Sequence, residues 1–171
     1  MKQQSRNSRF AHPGWKLMAA AALMSGALAA NAAQTCYPVT GHYTESAEFP
    51  PTCGSPVFLC LKGNVSGTLR GSFATTVNVL VPSADTPTTG VVAFNSDTVA
   101  TGFIGNRSGT LQIKNAGSIR GAGAGEIVDL QVIVGGTGDF AGASGAIMSN
   151  GHFDQATGSG TSEYSGTVCV Q

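Results

Sequence analysis

From Val65 to Val81 the chain alternates two kinds of residue. Val65, Gly67, Leu69, Gly71, Phe73, Thr75, Val77, Val79 and Val81 fall on one parity, and Ser66, Thr68, Arg70, Ser72, Ala74, Thr76 and Asn78 on the other. A period of two is the repeat of a β-strand with one buried face, and it excludes an amphipathic helix over the same stretch. Leu80 alone breaks the pattern, and Gly67 and Gly71 sit on the apolar parity where a missing side chain lets a sheet bend. The segments "VVAFNSDTVATGF", "GTLQIKNAGSI", "EIVDLQVIV" and "GSGTSEYSGTVCV" are further strand candidates. After Ala33 no window of ten or more residues keeps helical spacing, and glycine, 24 residues in all, recurs too often for a helix to survive. "PSADTPTTG" and "DQATGSG" read as turn-rich connections. Six to nine strands with short turns predict an all-β, antiparallel barrel or sandwich.

The N-terminus follows a different rule. Lys2, Arg6, Arg9 and Lys16 form a basic leader without acids, "LMAAAALMSGALAA" is an unbroken apolar run, and "ANA" ends at Ala32. This is the pattern of a secretory signal peptide over 1–32, with a run too short to span a bilayer as a mature helix. The expected layout is a leader at 1–32, an irregular lead-in at 33–56 and a barrel domain at 57–171, exported to the periplasm or beyond. Without the leader, Lys62, Arg70, Arg107, Lys114 and Arg120 face nine acids, a net charge of −4. A mildly acidic chain with no basic stripe argues against a nucleic-acid partner.

Cys36, Cys53, Cys60 and Cys169 all lie beyond the leader, and an even count in an exported chain reads as two disulfides. Their spacings lack the close pairs of a zinc site, so no metal is expected. Three pairings are open; the favoured one ties Cys169 back to the N-terminal segment, closing a long loop for about 2 to 5 kcal/mol.

"IVGGTGDFAGASGAI", from Ile133 to Ile147, poses a choice between a phosphate-binding loop and a turn. Gly136, Gly138 and Ala141 match a dinucleotide fingerprint and follow a strand. The fingerprint works only when a helix N-terminus receives the pyrophosphate, and the stretch that follows is too glycine-rich for a helix. Strand, tight turn, strand is the better reading, with Gly135, Gly136, Gly138, Gly142 and Gly145 serving the backbone and Phe140 plugging a barrel end. No cofactor is expected.

"VGGTGDFAGASGAI", a short spacer and "ATGSGTSEYSGTV" together resemble the C-terminal half of the allene oxide cyclase barrel superfamily, whose plant cyclases and dirigent proteins carry a similar GGTG-x-F-x-x-A-x-G turn. The resemblance is strong over Asp129 to Val170 and extends to Phe58. It implies an eight-stranded antiparallel barrel of calycin-like shape, a lumen for a small apolar molecule, and a homo-oligomer. The turn motif is structural, so the resemblance assigns no catalytic residue.

Local chemistry is sparse. His42 and His152 are the only histidines beyond the leader, and there is no G-x-S-x-G elbow. By parity, Glu126 shares a face with Val128, Leu130, Val132 and Val134, and Tyr164 with Gly166, Val168 and Val170, which makes these two the candidate lumen-binding residues. A buried glutamate would titrate in general-acid range. The bland alternatives are a solvated strand-end glutamate and a core tyrosine. Asp97 and Arg107 are expected to oppose one another as a surface pair. Three readings follow: a secreted barrel holding a small lipophilic ligand, a lumenal cyclase, isomerase or dirigent-like enzyme, or a ligand-free envelope protein whose lumen is filled by side chains.

Overall fold

The computed structural model describes residues 34–121 and 124–171; the expected leader lies outside them. Eight strands close into an antiparallel barrel in which each pairs with its sequence neighbours and the last returns to the first. They are β1 (Thr35–Ala47), β2 (Cys60–Gly67), β3 (Leu69–Pro82), β4 (Val91–Ile104), β5 (Arg107–Arg120), β6 (Ala124–Gly138), β7 (Ser144–Asp154) and β8 (Ser159–Val170). One helical turn, α1 (Thr86–Thr89), lies in the β3–β4 connection, inside the stretch expected as turn-rich.

The barrel begins earlier than the sequence reading placed it. Residues 35–47, expected within an irregular lead-in, form β1, which pairs with β2 from Gly41 to Ala47 and with β8 from Thr35 to Ser46. The cause is a period-two pattern that the nearby prolines obscure: Val39, Gly41, Tyr43, Glu45 and Ala47 face inward, and Thr40, His42 and Thr44 face solvent. Only the 48–59 connection is irregular, and it is fastened to β3. Ser55 Oγ donates to the Val77 carbonyl at 2.5 Å, and the Leu59 carbonyl accepts the Val77 amide at 3.1 Å.

The break at Leu80 has a structural cause. The β3–β4 register shifts between Val77 and Val79. A bulge adds one residue to one strand and so exchanges its faces beyond that point, which turns Leu80 toward the lumen and leaves Val81 half exposed.

The two ends of the barrel differ. The β2–β3, β4–β5 and β6–β7 turns gather at one end with the first residues of β1 and the last of β8. Phe140, Leu111, Val39, Val168 and Val170 fill the lumen there, each at most 1% exposed. The GGTG segment builds this closure. Gly138 takes φ +62° and Gly142 φ +70°, left-handed values that glycine adopts without strain. Gly135 and Gly136 finish β6, and a Cβ on Gly136 would meet the Phe140 carbonyl at 2.4 Å, so glycine there lets the turn fold back. Gly145 opens β7 against the Thr167 carbonyl. Asp139 accepts the Ser108 amide at 2.8 Å and fixes the turn to β5.

Two disulfides are present. Cys36–Cys169 joins β1 to β8 at the closed end, so Cys169 does return to the N-terminal segment, and Cys53–Cys60 braces the 48–59 connection at the other. The expected Asp97–Arg107 pair does not form. Asp97 meets Lys114 at 2.6 Å, which holds its carboxyl below the usual range, because Lys114 is its cross-strand partner. Arg107 instead lies over the Tyr37 ring.

Candidate functional site

Alternation around eight strands sends one residue in two into the lumen, and beyond the plug these side chains leave a cavity of about 320 Å³. It is a blind pocket. Its floor is the top of the closed end: Leu69, Ala100, Ile113, Ile147 and Tyr164, all buried. Its mouth is apolar, with Phe49 and Leu59 from the 48–59 connection, Leu61, Phe94, Ile119, Ile127 and Phe153 from the strands, and Gln155 and Gly158 from the β7–β8 turn.

Between floor and mouth runs a belt of polar side chains. On one side Asn115 donates to Ser96 Oγ at 2.9 Å and Thr98 Oγ1 at 2.7 Å, and Thr98 shares a 2.6 Å bond with Thr75. On the other, Gln131 donates to Asp129 Oδ2 at 3.1 Å and Ser149 Oγ at 3.3 Å, and Ser149 bonds the Tyr43 hydroxyl at 3.1 Å. These chains follow register, since Asp129 lies opposite Ser149, Gln131 is next to Asn115, and Asn115 pairs Ser96.

The belt contains two buried carboxyls, Glu45 at 9% and Asp129 at 6% exposure. Burial, reinforced by the charge of Asp129, raises Glu45 to about 7. Burial raises Asp129 to about 6, with hydrogen bonds from Gln131 and the Ala116 backbone pulling the other way. The Tyr43 hydroxyl is pushed up to about 12 by burial and then by Glu45. Burial thus brings both carboxyls up toward the neutral range, Glu45 further than Asp129, so their environments set the two pKa values apart.

Not every polar atom is satisfied. Among the described residues, Asn115 Oδ1, Asp129 Oδ1 and Ser162 Oγ are buried without a hydrogen-bond partner. Buried polar groups are nearly always paired, and two of these three, Asn115 and Asp129, belong to residues that line the cavity.

Of the two residues singled out from sequence, Tyr164 lies in the lumen, its ring on the floor and its hydroxyl tied to the β2–β3 corner. That hydroxyl accepts the Leu69 amide at 3.0 Å and approaches the Ser66 and Leu69 carbonyls at 3.3 and 3.2 Å. Glu126 is on the outer wall, more than half exposed and 3.4 Å from Arg120. The inner face of β6 is Ile127, Asp129, Gln131 and Ile133, and the parity that carries Glu126 also carries Val128, Leu130, Val132 and Val134, each at least 40% exposed. The reading inverted because the outer face of β6 is aliphatic while its inner face carries Asp129 and Gln131. Glu45 was missed because it lay in the supposed lead-in, and Asp129 because it fell on the more polar parity. The alternation of "VTGHYTESA" was the signal available for Glu45.

Among the described residues no three metal-ligating side chains come together, and no helix is long and apolar enough to cross a membrane. Comparison with protein-family models, curated proteins and solved structures found no match.

Proposed function

We propose that this chain is an exported barrel protein that binds a small, largely apolar molecule in its lumen. The observation that carries the reading is the blind cavity, apolar at mouth and floor and polar in a narrow belt between, the arrangement by which binding sites combine affinity with orientation. Two disulfides suit an oxidising compartment, and the turn motif that resembles the allene oxide cyclase barrels points to the same kind of lumen. The ligand-free envelope reading requires a filled interior and is disfavoured by the cavity.

The test is native mass spectrometry of disulfide-intact protein from the periplasm, organic extraction of any bound molecule, and titration with a neutral fluorescent apolar probe. A bound apolar molecule, or probe binding that Ala47→Trp at the mouth abolishes and Thr44→Trp on the outer wall leaves alone, is expected. Probe binding equal in both variants, with no molecule extracted, overturns the reading. The same spectrum reports the oligomer, for which the exposed stripe of Val128, Leu130, Val132 and Val134, with Met148 opposite Leu130, offers a self-association surface.

A second reading, a lumenal cyclase or isomerase, is favoured by Glu45 and Asp129, whose raised pKa values fall where general acids and bases work best near neutrality. The two readings part at Glu45→Gln, which lowers turnover and spares binding in an enzyme and has no turnover to lower in a carrier.

A further inference from the structure

We propose that the molecule held in the lumen is an amphiphilic amine, its ammonium seated between Glu45, Asp129 and Asn115 Oδ1 and its apolar body directed to the mouth. This rests on the lumen-binding reading and names the chemical class of the ligand.

The belt lacks donors and positive charge. Asn115 uses its amide nitrogen on Ser96 and Thr98, which leaves Oδ1, an acceptor only, buried without a partner in a residue that lines the cavity and is 7% exposed. Asp129 receives hydrogen bonds from Gln131, on Oδ2, and from the Ala116 backbone, while its buried Oδ1 has no side-chain partner. Glu45 adds a second buried carboxyl to the lining, whose ionised form only accepts. What these three positions need in common is N–H or O–H directed at them, and an ammonium supplies three donors with no acceptor to leave unpaired.

Charge selects in the same direction. The groups that titrate within the cavity are Tyr43 and Glu45 from β1, Asp129 from β6 and Tyr164 from β8, while β2, β3, β4, β5 and β7 line it with neutral side chains. Among the described residues no lysine or arginine lines the cavity. Lys62, Lys114 and Arg120 pair with Glu48, Asp97 and Glu126 on the outer wall, Arg107 stacks on Tyr37, and Arg70 is exposed. The interior is thus an acidic, low-dielectric pocket without an internal counter-ion, in which a cation regains a full charge-assisted bond and an anion is repelled. A neutral alcohol satisfies one acceptor and leaves the others as they are.

The pH dependence follows. An amine binds the ionised belt, so its affinity rises as Asp129 and then Glu45 lose their protons, and binding at pH 6 releases protons to buffer. An alcohol has no such dependence, and a fatty acid shows the reverse.

Octylamine, octan-1-ol and octanoate, alike in chain length, separate these cases by isothermal titration calorimetry on the intact protein at pH 5 and pH 8. Octylamine is expected to bind at pH 8 at least tenfold more tightly than octan-1-ol, to weaken at least tenfold at pH 5, and to lose most of its advantage in Asp129→Asn and Glu45→Gln. Glu126→Gln, on the outer wall, should leave the titration unchanged. Octan-1-ol or octanoate binding as well as octylamine at pH 8 overturns the amine assignment and leaves the lumen-binding reading standing. No binding by any of the three, together with failure of the neutral probe, overturns both. The wild-type comparison decides even if a variant fails to fold.

Discussion

At the end of the barrel where β1 begins and β8 finishes, Phe140, Leu111 and Val168 are at most 1% exposed, whereas Phe49 and Phe58, in the connection at the other end, stand 77% and 76% exposed. Both ends are made by the same eight strands, with the same alternation and a similar supply of glycine. The closed end turns back sharply through short connections and inserts an aromatic plug. The open end is spanned by longer ones, among them residues 48–59 and the α1 segment, which line a rim rather than cover it. One half of the lumen thus carries the packing that stabilises the fold, and the other holds polar groups that packing alone would not select.

Four experiments bear on that division. The largest effect belongs to the seam at the closed end. Replacing Cys36 and Cys169 by serine opens a loop of 133 residues, and chain-entropy arithmetic gives a loss of about 5 kcal/mol, against about 2.5 kcal/mol for Cys53 and Cys60, separated by 7. Denaturant unfolding of the two double variants checks the order. An equal loss would mean that the open end is as integral to stability as the closed one.

Next in size, Phe140→Ala should cost about 3–5 kcal/mol, as expected of a fully buried aromatic. Phe49→Ala should cost well under 1 kcal/mol and weaken probe binding instead. Thermal melts and titrations on the same pair would expose a plug that does not bear load.

The third acts through protons. The folded-state pKa of Glu45, raised from 4.5 to about 7, means that the folded protein holds the proton more tightly than the unfolded chain. Stability from this group is therefore fully present below pH 4.5 and lost as pH rises through about 7, a decline of about 3 kcal/mol. Asp129 adds a decline in the same direction from pH 3.8 to about 6. Glu45→Gln should flatten the upper part of the curve and leave the ligand-free protein more stable than wild type at pH 8. A bound amine should oppose the slope. A wild-type stability that is flat from pH 5 to pH 8 would place Glu45 in water.

The smallest effect is the control. Glu126→Gln removes an exposed ion pair and should change stability by less than about 1 kcal/mol, with no altered pH slope.

The strands were legible where one face is apolar and the other is not. In β8, Thr161, Glu163, Ser165 and Thr167 oppose Tyr164, Val168 and Val170, so the face that Tyr164 shares was legible as the apolar one. In β6 that contrast disappears, because the inner face must hold Asp129 and Gln131 for the belt and the outer face carries four aliphatic side chains. A polar belt inside a barrel lowers the very signal by which strand faces are told apart. The site was for the same reason the least legible part of the molecule, and both belt carboxyls were missed. The GGTG turn could be read because its requirement is local: a reversal within five residues needs left-handed backbone at Gly138 and Gly142, which leaves a mark in composition.

The strand order also bears on how the chain reaches this state. Seven of the described ladders join consecutive strands and can form as hairpins soon after their residues are synthesised, whereas β1–β8 joins the two extremes of the barrel. Until that last ladder zips, the folding sheet presents two free edges, each able to recruit the edge of another molecule. Cys36 and Cys169 lie opposite each other on that ladder. Their oxidation converts the slowest contact to assemble into a covalent one, so the yield of monodisperse protein should depend on how soon after synthesis the chain meets a thiol oxidant.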